Sequence, residues 1–493
     1  MLSIKVSHLI MELLMIVGRE NEQRLLENLY KSNEAQFACL YGRRRIGKTF
    51  LVREFFANKD CIFFHTTGTQ KASAKKQIKK FTGVVSTTFF DGIAIETPKN
   101  WEEALDLLHK QISKITTKKI VIFLDELPWM ATPKSGLLQE IDYFWNHHWA
   151  KIKNIILIVC GSSASWLIRK IIYNKGGLHN RTTCQMKLLP FNLHETKKYL
   201  HSKNIKLNNN HMVDLYMAFG GVPYYLSYIQ PGLTSQQNIQ KLIFDKNAPL
   251  KDEFNKLFES LFSSADSYIE LIKIIVKKRE GIRRVELQNL AKLSSGGGRL
   301  SKRLNDLIEV GFIEEYIPWG RNRGEYYKLI DEFCLFYLHW VYSKKREQFA
   351  SNYWAGQRQK SAYYAWAGYA FESICIKHAN QIIQSLNIDS ASTIGSWRFI
   401  PRKKLETGAQ IDMIIDRTDN AITLCEIKYT EGSFLIDKQY AAKLQNKIKI
   451  FKLVTKVTKQ IFLVLISANG LKRNKYAEEL ISSVVTLNDL FDK

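Results

Sequence analysis

An eight-residue run near the start of the chain constrains the fold more than any other feature. The apolar segment QFACLY (Gln36–Tyr41) has the length of a buried strand, and GRRRIGKT and the helical segment FLVREFF follow it directly. A strand, a loop ending in Gly-Lys-Thr and a helix form the Walker A arrangement, whose backbone N–H groups and helix N-terminus bind phosphates. We expect this loop to bind a nucleotide through Gly42, Arg43, Arg44, Arg45, Ile46, Gly47, Lys48 and Thr49.

Two residues of this loop have specific expected roles. Lys48 is expected to reach the phosphate oxygens and Thr49 to bind Mg²⁺. The three arginines at 43–45 could contact DNA, but arginines inside a phosphate loop more often serve the loop or its nucleotide, and we assign them to the nucleotide. The predicted cofactors are therefore ATP and Mg²⁺.

Further apolar runs predict the rest of the nucleotide site. KIVIFLDE places a strand at 119–124, directly before Asp125 and Glu126. We expect Asp125 to hold Mg²⁺ and Glu126 to orient or deprotonate the attacking water, because phosphoryl transfer depends on positioning and charge stabilisation. The strand-like NIILIVC leads to Ser162 and Ser163, which could sense the γ-phosphate or cap the following helix. In a doubly wound sheet, all these turns meet at one edge.

The charge of the chain points to an anionic partner. Its 72 Lys and Arg against 47 Asp and Glu give a formal net charge of +25 and a pI near 9.5. Such a surface attracts nucleic acid through phosphate neutralisation and counterion release, so we expect a DNA partner. The alternative is that much of this charge is ordinary solvated surface.

Cysteine placement and hydropathy indicate the compartment. The seven cysteines are scattered and mostly lie in apolar runs, which predicts reduced core residues rather than disulfides or zinc ligands. No stretch approaches the roughly 20 apolar residues that a spanning helix needs. We expect a cytoplasmic protein without a transmembrane segment.

The middle of the chain predicts helices and then a smaller module. Residues 210–262 look helical and would form a lid on the nucleotide domain. Three helical segments and a strand-like pair around Gly320–Gly324 then predict a winged helix, which could contact DNA or act only as a packing or regulatory unit. The basic residues expected on its third helix and wing are Arg299, Lys302, Arg303, Arg321 and Arg323.

The last third carries a second acidic constellation. Glu372 lies in a predicted helix, Tyr364–Asn380, and Asp412 lies in the strand-like IDMIID. Glu426 and Lys428 lie two apart in ITLCEIKY, so strand alternation points both to one face. Asp412 and Glu426 could hold Mg²⁺ against a scissile phosphate while Lys428 stabilises charge or positions water, with Glu372 as a further catalytic residue.

Taken in order, these motifs resemble the archaeal-type ATPases of the AAA+/STAND group. Val17–Glu22 matches the family's GRExE segment, Gly42–Thr49 its YGRRRxGKT loop and Gly220–Pro223 its GGxP motif. The resemblance implies that Gly18 and Arg19 contribute to nucleotide binding and that Ser162 is a sensor. It also implies that Arg181 is an arginine finger acting on the chain's own or a neighbour's γ-phosphate.

The C-terminal pattern is similar to the PD-(D/E)xK nuclease fold that accompanies this ATPase family. Two positions depart from the family patterns: Asn180 stands where glycine is common, and Gln410 where Glu is frequent. Gln439 and Tyr440, on the next predicted helix, could support the site or face solvent.

The predicted fold class is α/β. It comprises a P-loop NTPase domain of the AAA+/STAND type (1–205), a helical lid (206–262), a winged helix (263–345) and a PD-(D/E)xK-like α/β domain (346–493). The predicted function is ATP binding and hydrolysis coupled to DNA binding or Mg²⁺-dependent DNA processing. The alternative is a STAND-type nucleotide-dependent switch whose nuclease-like domain captures a protein partner. Homo-oligomer formation is compatible with either, and a peripheral membrane ATPase is a third hypothesis.

Overall fold

The computed structural model of the chain describes residues 16–173, 180–291, 298–344, 349, 352–401 and 408–492. Two compact units are present. One holds the described residues of Met1–Pro190 together with Asn305–Gly311, and the other those of Phe191–Leu304 and Phe312–Lys493. The predicted division into four domains is finer than these two units and stays a prediction. In the described ranges, no helix is both long and apolar enough to cross a membrane.

The first unit is built on a five-stranded parallel sheet with the order β2-β3-β4-β1-β5. Its strands are Gln36–Tyr41 (β1), Cys61–Thr67 (β2), Lys119–Asp125 (β3), Ile155–Gly161 (β4) and Cys184–Lys187 (β5). Its helices are Glu20–Lys31 (α1), Lys48–Ala57 (α2), Ala74–Phe89 (α3), Trp101–Ile112 (α4), Leu127–Met130 (α5), Leu137–His147 (α6) and Ala164–Leu167 (α7).

Helices cover both faces of this sheet, as a buried parallel sheet requires. Alternate residues of β1 enter two different cores. Phe37 and Cys39 pack with apolar side chains of α3, α4 and α6, whereas Ala38 and Leu40 pack with those of α1 and α2. This two-sided burial explains why the strands are continuous apolar runs in the sequence.

The strand register brings the predicted nucleotide motifs to one edge of the sheet. Tyr41, the last residue of β1, pairs with Gly161 at the end of β4. Thr67, the last residue of β2, pairs with Asp125 at the end of β3. The segments that follow β1, β3 and β4 therefore emerge side by side at the carboxyl ends of the strands, where parallel α/β sheets bind ligands.

The second unit begins with helices. They are Leu193–Ser202 (α8), Asn209–Phe219 (α9), Pro223–Leu226 (α10), Ser235–Ile239 (α11), Glu253–Leu261 (α12), Ala265–Val276 (α13) and Arg284–Leu290 (α14). Helix α15, Gly298–Val310, follows, and its residues from Asn305 are grouped with the first unit.

The GGxP motif lies at a junction in this unit with no room for side chains. Helix α9 ends at Gly220, whose φ of 61° and ψ of −170° suit glycine. A Cβ atom on Gly221 would lie 1.7 Å from the carbonyl oxygen of Phe191, and the Phe191 N–H donates to the Gly221 carbonyl at 2.7 Å. The two glycines therefore allow two backbone segments to touch.

A small antiparallel sheet follows, with the order β6-β8-β7. Its strands are Ile282–Arg283 (β6), Ile313–Tyr316 (β7) and Tyr326–Leu329 (β8). The hairpin of β7 and β8 lies where the sequence predicts one, and three helices, α13, α14 and α15, precede it. Exposed Arg321 and Arg323 lie in the loop between its two strands.

The C-terminal part holds a mixed five-stranded sheet with the order β13-β12-β11-β10-β9. Strands β9, β10 and β11 pair antiparallel, and β11, β12 and β13 pair parallel. The strands are Ser392–Phe399 (β9), Ala409–Arg417 (β10), Ala421–Lys428 (β11), Gln460–Ser467 (β12) and Ser483–Val485 (β13). The helices after β8 are Glu332–Trp340 (α16), Tyr353–Arg358 (α17), Ser361–Lys377 (α18), Ala379–Ser385 (α19), Lys438–Thr455 (α20), Lys475–Leu480 (α21) and Leu487–Leu490 (α22).

A buried histidine ties the end of α18 to the start of α8. His378 is 1% exposed; its Nδ1 lies 2.8 Å from the Ile374 carbonyl oxygen, and its Nε2 accepts the Leu193 N–H at 2.9 Å. These two partners require the neutral ring with its proton on Nδ1. Burial lowers the pKa of His378 from 6.5 to about 4.

The lowered pKa predicts acid sensitivity of this unit. A histidine whose folded pKa lies below its unfolded pKa takes up its proton preferentially in the unfolded state, so it destabilises the fold as pH falls below about 6.5. Between pH 7 and pH 5, His378 should cost about 2 kcal/mol of unfolding free energy. In urea unfolding, the free energy of unfolding of the His378→Gln variant should therefore fall by about 2 kcal/mol less than that of wild type between pH 7 and pH 5. The control His147→Gln, at an exposed histidine, should show the wild-type pH dependence of unfolding free energy. Equal losses of unfolding free energy in wild type and both variants would contradict the role assigned to His378.

Candidate functional site: a phosphate loop and a carboxylate cleft

The loop after β1 has the backbone geometry of a phosphate-binding loop. Gly42 has φ 149° and Gly47 has φ 88°, and Arg45 between them has φ 73°. A Cβ atom on Gly42 would lie 2.3 Å from the Leu188 carbonyl oxygen, so only glycine fits there. The positive φ angles turn this loop back on itself ahead of helix α2, which begins at Lys48.

Lys48 lies inside the loop and is 6% exposed. Its Nζ donates to the carbonyl oxygens of Gly42 at 2.9 Å and Arg43 at 2.8 Å. The ammonium group is therefore held among the loop's backbone groups, where a bound phosphate would meet it. Its predicted contact with phosphate oxygens stays a prediction.

The two predicted Mg²⁺ ligands of the nucleotide site lie next to each other. Thr49 Oγ1 donates to Asp125 Oδ2 at 2.9 Å. A P-loop hydroxyl and the carboxylate at the end of β3 are the protein groups that hold Mg²⁺ in P-loop NTPases. The residues present therefore fit a Mg²⁺–nucleotide complex.

Asp125 is 3% exposed and is kept charged by its neighbours. Burial raises its pKa, but the neighbouring His65, Thr49 and Cys160 outweigh that effect, and the net pKa is lowered. His65 Nε2 lies 3.9 Å from Asp125 Oδ2. The sequence interpretation missed His65, although its place near the carboxyl end of β2, beside β3, was a usable signal.

Glu126 and Ser162 contact each other across neighbouring strands. Both the backbone N–H and the hydroxyl of Ser162 donate to Glu126 Oε2 at 3.0 Å. Ser163, at the N-cap of α7, makes no side-chain capping hydrogen bond. Of the two roles considered for this pair of serines, helix capping is therefore not observed, and Ser162 instead orients the predicted water-activating carboxylate.

The Gly18–Arg19 segment also reaches the phosphate loop. Arg19 is 5% exposed, and its Nη2 donates to the Ile46 carbonyl oxygen at 3.4 Å. Gly18 has φ 67° and accepts a hydrogen bond from the Gln23 side chain at 2.7 Å. The predicted segment and loop are thus brought together.

The arginines of the loop face protein groups in different ways. Arg43 is 2% exposed, so it does not offer a surface for DNA. The guanidinium carbon of Arg44 lies 5.5 Å above the centre of the Trp129 ring, a cation–π contact. The assignment of the three arginines to the nucleotide stays a prediction.

Arg181 is exposed shortly before β5. Asn180, which stands where the family commonly has glycine, has φ 55°, a left-handed conformation that asparagine adopts more readily than most residues. The departure therefore leaves the local turn intact. The role of Arg181 as an arginine finger stays a prediction.

The acidic constellation of the second unit assembles around a cleft of about 1630 Å³. Glu372 from α18 and Asp412 from β10 both line it, as does exposed Gln410. The pairing of β10 with β9 shifts between Ile411 and Ile414, which marks a bulge at Asp412. Bulges next to functional sites re-aim a side chain. The basic residues lining the same cleft are Lys278, Arg279, Arg283, Arg321, Lys328 and Arg398.

Contacts from the hairpin of β7 and β8 form one wall of this cleft. Trp319 Nε1 donates to Asp416 Oδ2 at 3.0 Å, and the Trp319 backbone N–H donates to the Ser396 carbonyl at 2.9 Å. Arg398 forms an ion pair of 2.6 Å with Glu280. The hairpin is therefore fixed against strands β9 and β10, with Arg321 at the cleft.

Glu372 and Asp412 interact electrostatically. Burial, followed by the charge of Asp412, raises the pKa of Glu372 to about 7. Burial and the charge of Glu426 likewise raise the pKa of Asp412, although the Ile427 N–H donates to Asp412 Oδ2 at 3.1 Å. Two neighbouring buried carboxyl groups of this kind share protons, and a cation between them would relieve their repulsion.

Glu426 is held differently from the other two carboxylates. Lys428 Nζ lies 2.8 Å and the Tyr440 hydroxyl 2.5 Å from Oε1, and Lys447 Nζ lies 2.6 Å from Oε2. Burial raises the pKa of Glu426, but the two lysines outweigh it and lower the pKa to about 2. Glu426 is thus a permanently charged anchor for Lys428.

Lys447 was not predicted from the sequence. It lies seven residues, or about two helical turns, after Tyr440, so both face Glu426 from one side of α20. That spacing was the available signal. Of the pair left open in the sequence interpretation, Tyr440 supports the site and Gln439 is exposed.

The sequence predicts Mg²⁺ at Asp412 and Glu426, but both oxygens of Glu426 contact Lys428, Lys447 and Tyr440. The donor set of the second unit is instead compatible with Mg²⁺ at Glu372 and Asp412. Within the described residues, no three or more His, Cys, Asp or Glu side chains are grouped so that they could hold a metal ion. Mg²⁺ commonly uses one or two carboxylates and takes its other ligands from water and phosphate. Two carboxylates facing one cleft meet that lower requirement.

The geometry of the first site defines a P-loop nucleotide-binding fold, and the sequence comparisons agree. Residues 16–229 match the model of an ATPase domain found predominantly in Archaea. This match spans less than half of the chain, and it supports a P-loop ATPase fold for these residues.

The chain is also similar to three individual proteins. An uncharacterized protein of Methanocaldococcus jannaschii is 25% identical over 447 residues, covering 88% of this chain and 92% of that protein. An uncharacterized ATP-binding protein of the same organism is 45% identical over 47 residues, covering 10% of this chain and 80% of that protein. The solved structure of a Walker-type ATPase of Pyrococcus abyssi is 17% identical with a TM-score of 0.45, covering 65% of this chain and 95% of that one.

Nucleotide binding through the loop predicts a specific loss in one variant. Wild type should be stabilised by ATP and Mg²⁺ by about 2.7 kcal/mol at a nucleotide concentration 100 times the Kd. Lys48→Ala should remove most of that stabilisation, because the ammonium group supplies the charge that meets the phosphates. Thermal unfolding with and without nucleotide measures it. Lys59→Ala, which loses an ion pair with Glu27 beyond the end of α2, should keep the nucleotide-induced shift. A Lys48→Ala protein with an unchanged shift would refute the loop assignment.

Proposed function

We propose that this chain is an ATP-hydrolysing protein that binds DNA and cleaves it with Mg²⁺ in its second unit. The observation that carries this proposal is the cleft in which Glu372 and Asp412 lie among six Lys and Arg side chains. A basic wall attracts a phosphate backbone, and paired carboxylates can hold the cation that activates it.

ATP hydrolysis is supported by the contacts of Glu126. Its Oε2 accepts two hydrogen bonds from Ser162, and Thr49 and Asp125 lie together at the neighbouring strand end. In this arrangement Mg²⁺ would be held by Thr49 and Asp125, and Glu126 would orient the attacking water. Bound Mg²⁺ would neutralise the charge that develops on the transferred phosphoryl group. Arg181 would complete the charge stabilisation, in cis or from a neighbouring copy.

For DNA cleavage, each side chain of the second unit has a distinct proposed role. Glu372 and Asp412 would hold Mg²⁺, which polarises the scissile phosphate when bound. Lys428, anchored by Glu426, would stabilise charge on that phosphate or position water. The arginines of the cleft wall, including Arg321 on the hairpin of β7 and β8, would bind the DNA backbone on either side of the scissile phosphate.

We further propose that the chain functions as the four domains predicted from the sequence. Residues 263–345 would act as a winged helix, with its hairpin loop as the wing. On α15, Arg299 and Lys302 are exposed and Arg303 is half-buried. Residues 346–493 would be the PD-(D/E)xK-like domain, and the helices at 206–262 the lid.

A second function is favoured by one observation. All the hydrogen-bonding contacts of Glu426 go to Lys428, Lys447 and Tyr440, and no ready-made metal-holding group of three side chains occurs in the described part of the chain. This arrangement also suits a nucleotide-dependent switch in which the C-terminal sheet is a protein-binding platform. A steep fall of DNA affinity with salt concentration would favour the first function. Nucleotide-dependent capture of a protein without DNA affinity would favour the second.

The proposed hydrolytic role of Glu126 predicts a separation of binding from turnover. Glu126→Gln keeps the shape and the contact with Ser162 but removes the charge that orients water. ATP hydrolysis should fall at least about 100-fold while ATP-induced thermal stabilisation is retained. Phosphate release and thermal unfolding measure the two quantities. Glu140→Gln, remote from the loop on α6, should hydrolyse at the wild-type rate, and a Glu126→Gln protein that does so as well would exclude this role.

The proposed nuclease site predicts which substitutions stop cleavage. Wild type should cut linear, circular or single-stranded DNA in Mg²⁺, with and without ATP as separate arms. Asp412→Asn and Lys428→Ala should each slow cleavage at least about 100-fold, or about 2.7 kcal/mol of barrier. Cleavage is followed on gels at fixed salt.

Matched controls are available in the same unit. Asp419→Asn changes an exposed carboxylate in the turn between β10 and β11, and Lys449→Ala removes an exposed lysine from α20. Both should cleave as wild type does. A wild-type protein that cuts no DNA substrate in Mg²⁺, with or without ATP, would eliminate nuclease action.

A further inference from the structure

One buried carboxylate outside both sites joins an unusual number of elements. Asp214, in the buried second half of helix α9, is 3% exposed. Its carboxylate accepts hydrogen bonds from five side chains on four segments of the second unit. These donors are Ser235, Gln236, Arg358, Tyr363 and Tyr429.

Two of the five donors belong to the segments that carry the carboxylate cleft. The Tyr429 hydroxyl donates to Asp214 Oδ1 at 2.8 Å, and Tyr429 directly follows Lys428 at the end of β11. The Tyr363 hydroxyl donates to the same oxygen at 3.3 Å, and Tyr363 lies in the first turn of α18, the helix of Glu372. One oxygen therefore joins the two segments.

A ring contact reinforces this connection next to the site. The Tyr429 ring lies 5.6 Å from the ring of Phe371, the residue before Glu372. Tyr429 therefore contacts α18 directly, through the ring of Phe371. It is also connected to α18 indirectly, because Asp214 accepts hydrogen bonds from both Tyr429 and Tyr363. The residues beside Lys428 and beside Glu372 are held at a set distance by groups that contact neither substrate nor metal.

The charge of Asp214 is balanced inside the cluster. Arg358 Nη1 lies 3.2 Å from Asp214 Oδ2, where Ser235 and Gln236 each donate at 2.9 Å. Burial and the Asp214 charge raise the pKa of both Tyr363 and Tyr429, so both phenols keep the protons they donate. Losing a partner from such a buried network leaves an unpaired polar group at high cost, so the cluster is expected to hold one geometry.

We propose that Asp214 is a positioning residue for the carboxylate cleft: it fixes the end of β11 that bears Lys428 against the helix that bears Glu372. The role rests on the nuclease function proposed above. It makes helix α9, ahead of the GGxP motif, a structural part of the C-terminal site rather than only a lid element. The role acts through Tyr429 and Tyr363.

Two substitutions test this role at different severity. Asp214→Asn removes the charge, and Tyr429→Phe removes only one hydroxyl and keeps the ring on Phe371, so it remains informative if the first variant fails to fold. Tyr225→Phe is the matched control, because the Tyr225 hydroxyl donates to another buried carboxylate of this unit, Glu253, at 3.0 Å.

The first measurement does not depend on cleavage. Hydrogen–deuterium exchange of the peptide covering 421–428 includes the Ile427 N–H that donates to Asp412. In the full chain, Asp214→Asn and Tyr429→Phe should each raise exchange in this peptide at least about tenfold, whereas Tyr225→Phe should leave it as in wild type. Unchanged exchange in Tyr429→Phe, or an equal rise in Tyr225→Phe, overturns the proposal.

The second measurement separates positioning from general stability. In Mg²⁺-dependent DNA cleavage, both variants should lower kcat about tenfold with KM unchanged, and Tyr225→Phe should change neither. If wild type cleaves and Tyr429→Phe cleaves with the wild-type kcat, Asp214 has no positioning role. If wild type does not cleave any DNA, the nuclease function fails, and the exchange measurement alone decides whether Asp214 fixes β11.

Discussion

Carboxylates removed from water need donors, and both candidate sites of this chain are arranged around that requirement. Asp125 accepts a hydrogen bond from Thr49 and lies near His65, and both neighbours favour its charged form at the end of β3. Glu426 is held by two lysines and a tyrosine. Each set of donors fixes a direction for the oxygen atoms, so the need to satisfy a buried charge also builds the site.

The same requirement separates the carboxylates of the C-terminal site into two kinds. Glu426, surrounded by cations, stays ionised and orients Lys428. Glu372 and Asp412 face the cleft and hold their protons more tightly, because burial and then nearby negative charge raise the pKa of each. A site with one carboxylate paired to lysines and two that face the cleft can take up a cation without losing the anchor of its lysine.

The phosphate loop could be read from the sequence because its chemistry is contiguous. Gly42–Thr49, Asp125–Glu126 and Ser162 each follow an apolar strand, and parallel strands bring such turns to one edge whatever the rest of the chain does. The carboxylates of the last third were also found, since strand alternation fixes the shared face of Glu426 and Lys428. Their unequal electrostatic states were not, because these depend on burial and on Lys447 from another element. Asp214 gave no local signal at all, since its contact with Tyr429 joins residues 215 positions apart.

The bulge in β10 has a consequence for how this site can change. Gln410 and Asp412 line the cleft, and the register with β9 shifts at Asp412, between Ile411 and Ile414. In a strand, one residue more or less exchanges the two faces. Deleting one residue at the bulge would therefore turn Asp412 from the cleft toward the core, or turn the apolar residues after it to the opposite face. The sequence would still contain every other residue of the cleft. The number of residues at the bulge, as much as their identity, therefore decides whether the Asp412 carboxylate faces the cleft.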